Sequence, residues 1–375
     1  MRKSARTVAA LCLATGVTGW FAGCDASSPP RSESSQRPST APSTAPSTAS
    51  AAVPDDVVIA VAGDVHFEGA LRDRLADPST ALAPVTSTLA AADLAIVNLE
   101  TSIGTGGRPE PGKRFTFQAP AAALAALAAA GVDVATMANN HALDYGRTAL
   151  PSTFAAIDAA RAADPALDVI GIGRDARTAF RPAVTEVGGT TIATLGATVA
   201  ALDPTADPTG QWAATARSPG TADAVGPQRL LRAVARADAT ADVVVVYVHW
   251  GTQGESCPTG DQQLLAARLV ERGADIIVGS HAHQLQGDGR LGPGYVAYGL
   301  GNYAWYTPTD LTGVLTLTVR PPDAPSGRAT VTEAAWEPAR IGADGLPAPL
   351  AGAAAAGFRG TRAELRDCAG LSAPS

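Results

Sequence analysis

The sequence predicts a layered α/β protein in which mixed β-sheets are flanked by helices, and three observations predict it. Apolar runs of strand length recur along the chain, each breaks off into a polar cluster, and helical stretches separate them. Strands that run directly into histidines and glycines describe the carboxyl edge of a buried parallel sheet, where α/β proteins place their chemistry. The chain has five histidines, His66, His141, His249, His281 and His283, and each lies within a few residues of such a run. They read as one site.

In order, the folded body opens with a β-rich run at 57–62 that ends in Gly63-Asp64-Val65-His66. Residues 81–92 read as a helix, and the short strand 94–97 ends in Asn98-Leu99-Glu100-Thr101. A Gly/Pro-rich loop at 104–112 leads to Lys113 and Arg114. Helix 120–130 has Pro120 at its start and Gly131 at its end, the usual punctuation. Strand 132–137 runs into Asn139-Asn140-His141, and a helix at 148–163 follows. Residues 183–187 and 190–195, separated by Gly188-Gly189, form a hairpin. The stretch 203–220 is a loop over or beside the site, and 227–237 returns to helix. Two further strands, 242–248 and 274–278, end in His249-Trp250-Gly251 and in Gly279-Ser280-His281-Ala282-His283. After Tyr298-Gly299-Leu300-Gly301-Asn302, residues 312–319 and 329–336 alternate like antiparallel strands, and the Ala/Gly-rich remainder carries no clear pattern.

At 375 residues and 46% hydrophobic the chain can bury a substantial core. A net charge of −7, 5% aromatic residues and no dense Lys/Arg run exclude a nucleic-acid binder. Residues 1–23 read as a signal: Arg2, Lys3 and Arg6, then an uncharged stretch, then Phe21-Ala22-Gly23 before Cys24. That ending resembles a bacterial lipobox, which makes Cys24 a lipidated first residue anchored to the cell membrane. Plain signal-peptidase cleavage and an uncleaved anchor are the alternatives, and all three export the body. Residues 25–54, with PSTA three times, read as an extended stalk, since they cannot bury enough apolar surface to offset ordering entropy. The body is then 55–375. In an oxidising compartment Cys257 and Cys368 read as a disulfide, with Cys257 as a metal ligand near His249 the rival.

Asp64, His66, Asn98, Glu100, Asn139, Asn140, His141, His249, His281 and His283 offer carboxylate, imidazole and amide oxygen, donors that suit Mn²⁺, Zn²⁺ or Fe²⁺. They outnumber the ligands of one ion, and two divalent ions bridged by one carboxylate would use most of them.

The ordered series GDVH, NLET, NNH, HWG, GSHAH and YGLGN, from about residue 57 to 303, resembles the CapA family of bacterial capsule and poly-γ-glutamate synthesis proteins. That family is similar to the calcineurin-like metallophosphatases, which implies a metallophosphatase-like sandwich. By this resemblance Asp64, His66 and His283 hold one ion, Asn140, His249 and His281 the other, and Glu100 bridges. His141 is the acid that protonates the leaving group, or a donor to the transition-state oxyanion. The chain departs from the pattern in three places. NLE stands where metallophosphatases have GDxxD, Ala142 stands where an acidic partner of His141 is usual, and Gln253 stands where many CapA relatives carry Glu.

Asn98, Arg114, Asn139 and Asn302 are candidates for substrate contact, with Arg108 and Lys113 in the same glycine-rich loop as Arg114. Trp250, Trp305 and Tyr306 are candidates for the mouth of the cleft. The reading is an extracytoplasmic, lipid-anchored protein acting on an anionic surface polymer or a phosphorylated small molecule, with envelope synthase subunits as partners. A non-hydrolytic accessory subunit and a phosphoesterase unrelated to capsule are the alternatives.

Overall fold

Two sheets face each other in the computed structural model, which describes residues 55–373 apart from 84, 201–206 and 325–326. The eight-stranded sheet runs Pro347–Pro349, Thr330–Ile341, Thr309–Arg320, Val57–Val65, Leu94–Leu99, Val134–Thr136 and Asp168–Ile170, with Asn302–Ala304 pairing beside the end of Val57–Val65. The six-stranded sheet runs Asp288–Leu291, Gly294–Ala297, Ile276–His281, Val243–Trp250, Thr190–Thr198 and Ala183–Val187. Both are mixed, as the sequence predicts: parallel pairs run around Leu94–Leu99 and on to the Asp168–Ile170 edge and around Val243–Trp250, and antiparallel pairs form the opposite edge of the first sheet and both edges of the second.

Alternation along each strand fixes the layers. Val57, Ile59 and Val61 pack between the sheets with Val243, Val245 and Tyr247. The intervening Ala60 and Ala62 share a core with the helices Ala122–Ala129 and Leu150–Arg161. Val244, Val246 and Val248 share another with Gln228–Asp238 and Gly260–Glu271. The order is helices, sheet, sheet, helices. Strands covered on both faces read as continuous apolar runs, and each fully buried Val or Ile contributes roughly 1.5–3 kcal/mol.

Three expectations change. Helix 81–92 shrinks to Ser87–Ala91, with turns at 81–83, because the sequence places Pro84 inside the expected span. The Ala/Gly-rich end, which carried no pattern, forms the helix Gly352–Cys368, held by Arg362 Nε on Asp288 Oδ1 (2.8 Å) and Arg366 Nε on the Asp288 carbonyl (2.6 Å). Trp250 is fully buried and donates to the Tyr298 carbonyl at 2.8 Å, so it packs the core rather than lining a mouth. The signal 1–23, Cys24 and the whole of the 25–54 stalk lie outside the described residues. No helix among the described residues is long and apolar enough to cross a membrane.

Two features aim the carboxyl edges at each other. Gly63 lies so close to the strand-like segment beyond it that a Cβ there would fall 1.9 Å from the Gly301 carbonyl oxygen, while the next amide, of Asp64, donates to that oxygen at 2.9 Å. Across the interior, the Tyr247 hydroxyl donates to the Ala62 carbonyl at 3.1 Å.

Cys257 and Cys368 are disulfide-bonded, with Cα atoms 5.7 Å apart and 111 positions between them in sequence. The bond ties the loop after His249 to the C-terminal helix and leaves Cys257 no thiolate for a metal. Closing so long a loop stabilises by about 5 kcal/mol in the chain-entropy treatment. The Cys257→Ser/Cys368→Ser variant is expected to lose stability on that scale in denaturant unfolding, and an unchanged midpoint would contradict the bond.

Candidate metal centre

The carboxyl ends of both sheets deliver the polar residues to one place. Asp64 closes Val57–Val65, Asn98 and Glu100 close Leu94–Leu99, and Asn139, Asn140 and His141 follow Val134–Thr136. His249 and His281 come from the ends of Val243–Trp250 and Ile276–His281, with His283 two residues on. Asp64, Glu100, His249 and His281 are all 0% exposed. His281 and His283 have φ of 99° and 54°, the left-handed region that residues with a Cβ rarely adopt. Such strain persists where packing over-determines it and clusters at functional sites.

Two groups of donors form, and Glu100 belongs to both. Asp64, Glu100 and His283 each present a ligand atom within 4.8 Å of the others, as do Glu100, His249 and His281. In the second group His249 Nε2 lies 2.7 Å from Asn140 Oδ1, 3.1 Å from His281 Nδ1 and 3.5 Å from Glu100 Oε1. Ligands about 2.1 Å from a tetrahedral centre stand about 3.4 Å apart, which the Glu100 spacing matches, while the two shorter spacings are hydrogen-bond distances that a shared cation would have to open slightly.

Neither carboxylate oxygen of Glu100 has a hydrogen-bond partner. Burial and the charge of Asp64 push its pKa well above the ordinary range. Asp64 behaves oppositely. Burial raises it, but its bond to His283 and the neighbouring His249 and His283 imidazoles hold it well below the usual carboxylate value. Burial first, and neighbouring cations second, push His66, His141 and His249 well below the usual imidazole value. Neutral imidazoles, a buried anion and an orphaned carboxylate fit a divalent cation.

A surrounding layer orients the ligands. Asn98 Nδ2 reaches Asp64 Oδ1 at 2.8 Å and His249 Nδ1 at 3.2 Å, and Ser280 Oγ lies 3.0 Å from that same Nδ1. Asn139 donates to Asn98 Oδ1 at 3.0 Å and to the Leu99 carbonyl at 2.8 Å, and accepts from the His141 amide at 3.0 Å. His283 Nδ1 lies 2.7 Å from Asn302 Oδ1. Asn98, Asn139 and Asn302 therefore act through other side chains, where the sequence reading placed substrate contacts.

The acidic partner of His141, which the sequence comparison at position 142 did not find, is Asp144. Its Oδ2 lies 2.6 Å from His141 Nδ1, and the turn at 140–145 brings it there. With Nδ1 so engaged, His141 Nε2 faces inward, 3.8 Å from Glu100 Oε1. Lys113 pairs with Asp144 Oδ1 and also bonds the Asn140 carbonyl, beneath the Trp212 ring at 4.6 Å. Lys113 is the residue of the glycine-rich loop that reaches the centre. Arg114 is exposed, its guanidinium 5.0 Å from the Phe115 ring.

His66 lies outside both donor groups. Its Nδ1 accepts from the Glu68 amide at 3.0 Å, and its ring sits 4.0 Å from Trp305, 4.8 Å from Tyr306 and 5.0 Å from Phe117. Phe117 in turn stacks on His141 at 4.3 Å, so an aromatic wall joins the two histidines. Of the wall, Tyr306 is the most open to solvent, at 39% exposure.

The sequence model of the family described as "Bacterial capsule synthesis protein PGA_cap" matches residues 58–306, which hold every residue of the centre. A capsule biosynthesis protein CapA of Bacillus anthracis is 34% identical over 197 residues, covering 52% of this chain and 45% of its own. A PGA biosynthesis protein CapA of Bacillus subtilis is 34% identical over 174 residues, 46% of this chain and 42% of its own. A probable polyglutamine synthesis accessory protein of Mycobacterium tuberculosis is 30% identical over 206 residues, 52% of this chain and 50% of its own. The matches thus span about half the length of these curated relatives. A solved structure described as a novel phosphatase of Mycoplasma pneumoniae overlaps 76% of this chain and 94% of its own at 14% identity, with a TM-score of 0.45, too low to bear on fold or function.

Burial pushes Asp144 up from 3.8 to about 7, against the pull of Lys113. The folded state then holds this proton more tightly than the unfolded chain, so the stability it contributes is present below pH 3.8 and lost as pH rises toward about 7. Its size is on the order of 4 kcal/mol. In chelator-treated protein, Asp144→Asn should gain on the unsubstituted chain across that window in denaturant unfolding. A constant difference would contradict the assignment.

Proposed function

This chain belongs to the bacterial capsule synthesis protein family PGA_cap, and on that premise we propose that it is a CapA-type protein of capsule or poly-γ-glutamate synthesis with a two-metal hydrolytic site. The observation that carries the proposal is Glu100, buried, without a hydrogen bond and common to both donor groups. Asp64 and His283 would hold one divalent ion and Asn140, His249 and His281 the other, with Glu100 between them and His66, which the family resemblance adds to the first set, on the aromatic wall. When bound, such a pair supplies an acidified water and a clamp on an in-line phosphoryl displacement.

The chain's own residues supply the rest. Asp144 accepts from His141 Nδ1 and fixes the ring, so that Nε2 is the atom turned toward the substrate side. Nε2 can give a proton to a departing oxygen only once the ring has taken up a second proton, whose charge Asp144 would then balance. Lys113 balances the charge of Asp144, and the wall of Phe117, Trp305 and Tyr306 limits water on that side. Lipidation at Cys24 would tether the body outside the cell membrane, on the reach of the 25–54 stalk, beside envelope synthase subunits.

A second reading is a non-catalytic subunit that binds acidic polymer. The pairing of Lys113 with Asp144 favours it, because that cation has little charge left to offer a phosphate.

Turnover of an aryl phosphate with added Mn²⁺ separates the two. The hydrolase reading expects turnover by the full chain, and a fall of about 10²–10⁴-fold in kcat for His141→Ala and Asp144→Asn with metal content retained. Metal bound without turnover would leave the binder. Deleting the gene should reduce surface polyglutamate, and unchanged polymer would contradict the capsule role.

A further inference from the structure

We propose that a pocket of about 430 Å³ lined by Arg177, Arg229, Arg236 and Phe180 binds the carboxylates of an acidic polymer at a site separate from the metal centre. The identity of the polymer rests on the capsule reading above. The anion site itself rests on the following geometry.

The helix Gln228–Asp238 buries Leu230, Leu231, Ala233, Val234 and Ala237 against the six-stranded sheet. That leaves Arg229, Arg232 and Arg236 exposed, and spacings of three and four put them in one stripe. No acidic residue interrupts the stripe before Asp238. Arg177, from the short helix Ala176–Ala179, lines the pocket opposite it. The carboxylate in the lining, Asp175, is engaged as a helix cap: its Oδ1 accepts from the Thr178 amide at 2.7 Å and from the Thr178 hydroxyl at 2.8 Å.

Several arginines elsewhere sit on aspartates, as Arg161 does on Asp168, Arg328 on Asp275 and Arg362 on Asp288, whereas the pocket gathers three that do not. Among the described residues Arg229 and Arg236 form no ion pair within 4 Å, and Arg177 has only the charge of Asp175 beside it, in a chain of net charge −7. Three like charges with one carboxylate among them repel, and a polyanion removes that repulsion. Arg229 lies 5.9 Å from the Phe180 ring, a contact that holds the guanidinium in place. Guanidinium forks match carboxylate oxygens in pairs, and a space of this size admits several carboxylate-bearing units rather than one small ion.

Along the chain the pocket lies near the metal centre. Trp212 covers Lys113, and Ala216, four residues further on, lines the pocket. Four residues span at most about 14 Å.

The test uses the full chain and a fluorescein-labelled γ-linked glutamate oligomer, followed by anisotropy, with phosphatidylglycerol vesicles and inorganic phosphate as separate arms. Arg229→Ala/Arg236→Ala should weaken oligomer binding about tenfold or more, with metal content and circular dichroism unchanged, and Arg177→Ala should weaken it alone. Asp64→Ala should lose metal and keep arginine-dependent binding, which separates failure of this site from failure of the hydrolytic reading. Oligomer affinity equal to that of the unsubstituted chain in the arginine variants would overturn the proposal. So would arginine-dependent binding to the vesicles or to phosphate with none to the oligomer.

Discussion

Everything in this structure turns on one carboxylate that nothing in the protein satisfies. Glu100 is fully buried, both its oxygens lack a hydrogen bond, and Asp64 adds a second anion to the same hollow. Without a cation, burial and the charge of Asp64 keep the Glu100 proton on, and a ligand of opposite charge is what would let the group ionise. The neighbouring imidazoles do not answer it, because burial and their own crowding keep His249 and His141 neutral. What remains is a concentration of lone pairs with Glu100 in the middle, a demand that divalent cations meet.

The fold exists to hold that demand together. Donors separated by more than two hundred positions meet because two sheets bring their carboxyl edges to one hollow. Gly63 allows the first strand to close on Gly301, and Tyr247 links the sheets through Ala62. Asn98 ties Asp64 to His249 across the two sheets, so one member of each donor group is set by a single amide. The cost is local strain at His281 and His283, whose backbones lie where glycine is usual.

The strands and their terminal clusters were legible because strands buried on both faces leave unbroken apolar runs, and five histidines in one chain made their convergence readable. Asp144 was not, because the expected acid was sought beside His141, whereas the 140–145 turn returns a residue three positions on. Lys113 and Arg114 are adjacent in a loop, and periodicity does not say which of two such cations turns inward. The helix Gly352–Cys368 shows one buried side chain, Phe358, so its alanines and glycines gave no stripe; its hold comes from Arg362 and Arg366 on Asp288, a contact formed only in three dimensions. The arginine pocket was hidden for the same reason, since its residues come from separate helices.

Anomalous diffraction from crystals grown with Mn²⁺ tests the central claim most directly. Two peaks are expected on either side of the Glu100 carboxylate, about 3.5–4 Å apart, and Glu100→Gln should remove at least one of them. No peak in the hollow, or a single peak that leaves Glu100 untouched, would contradict it.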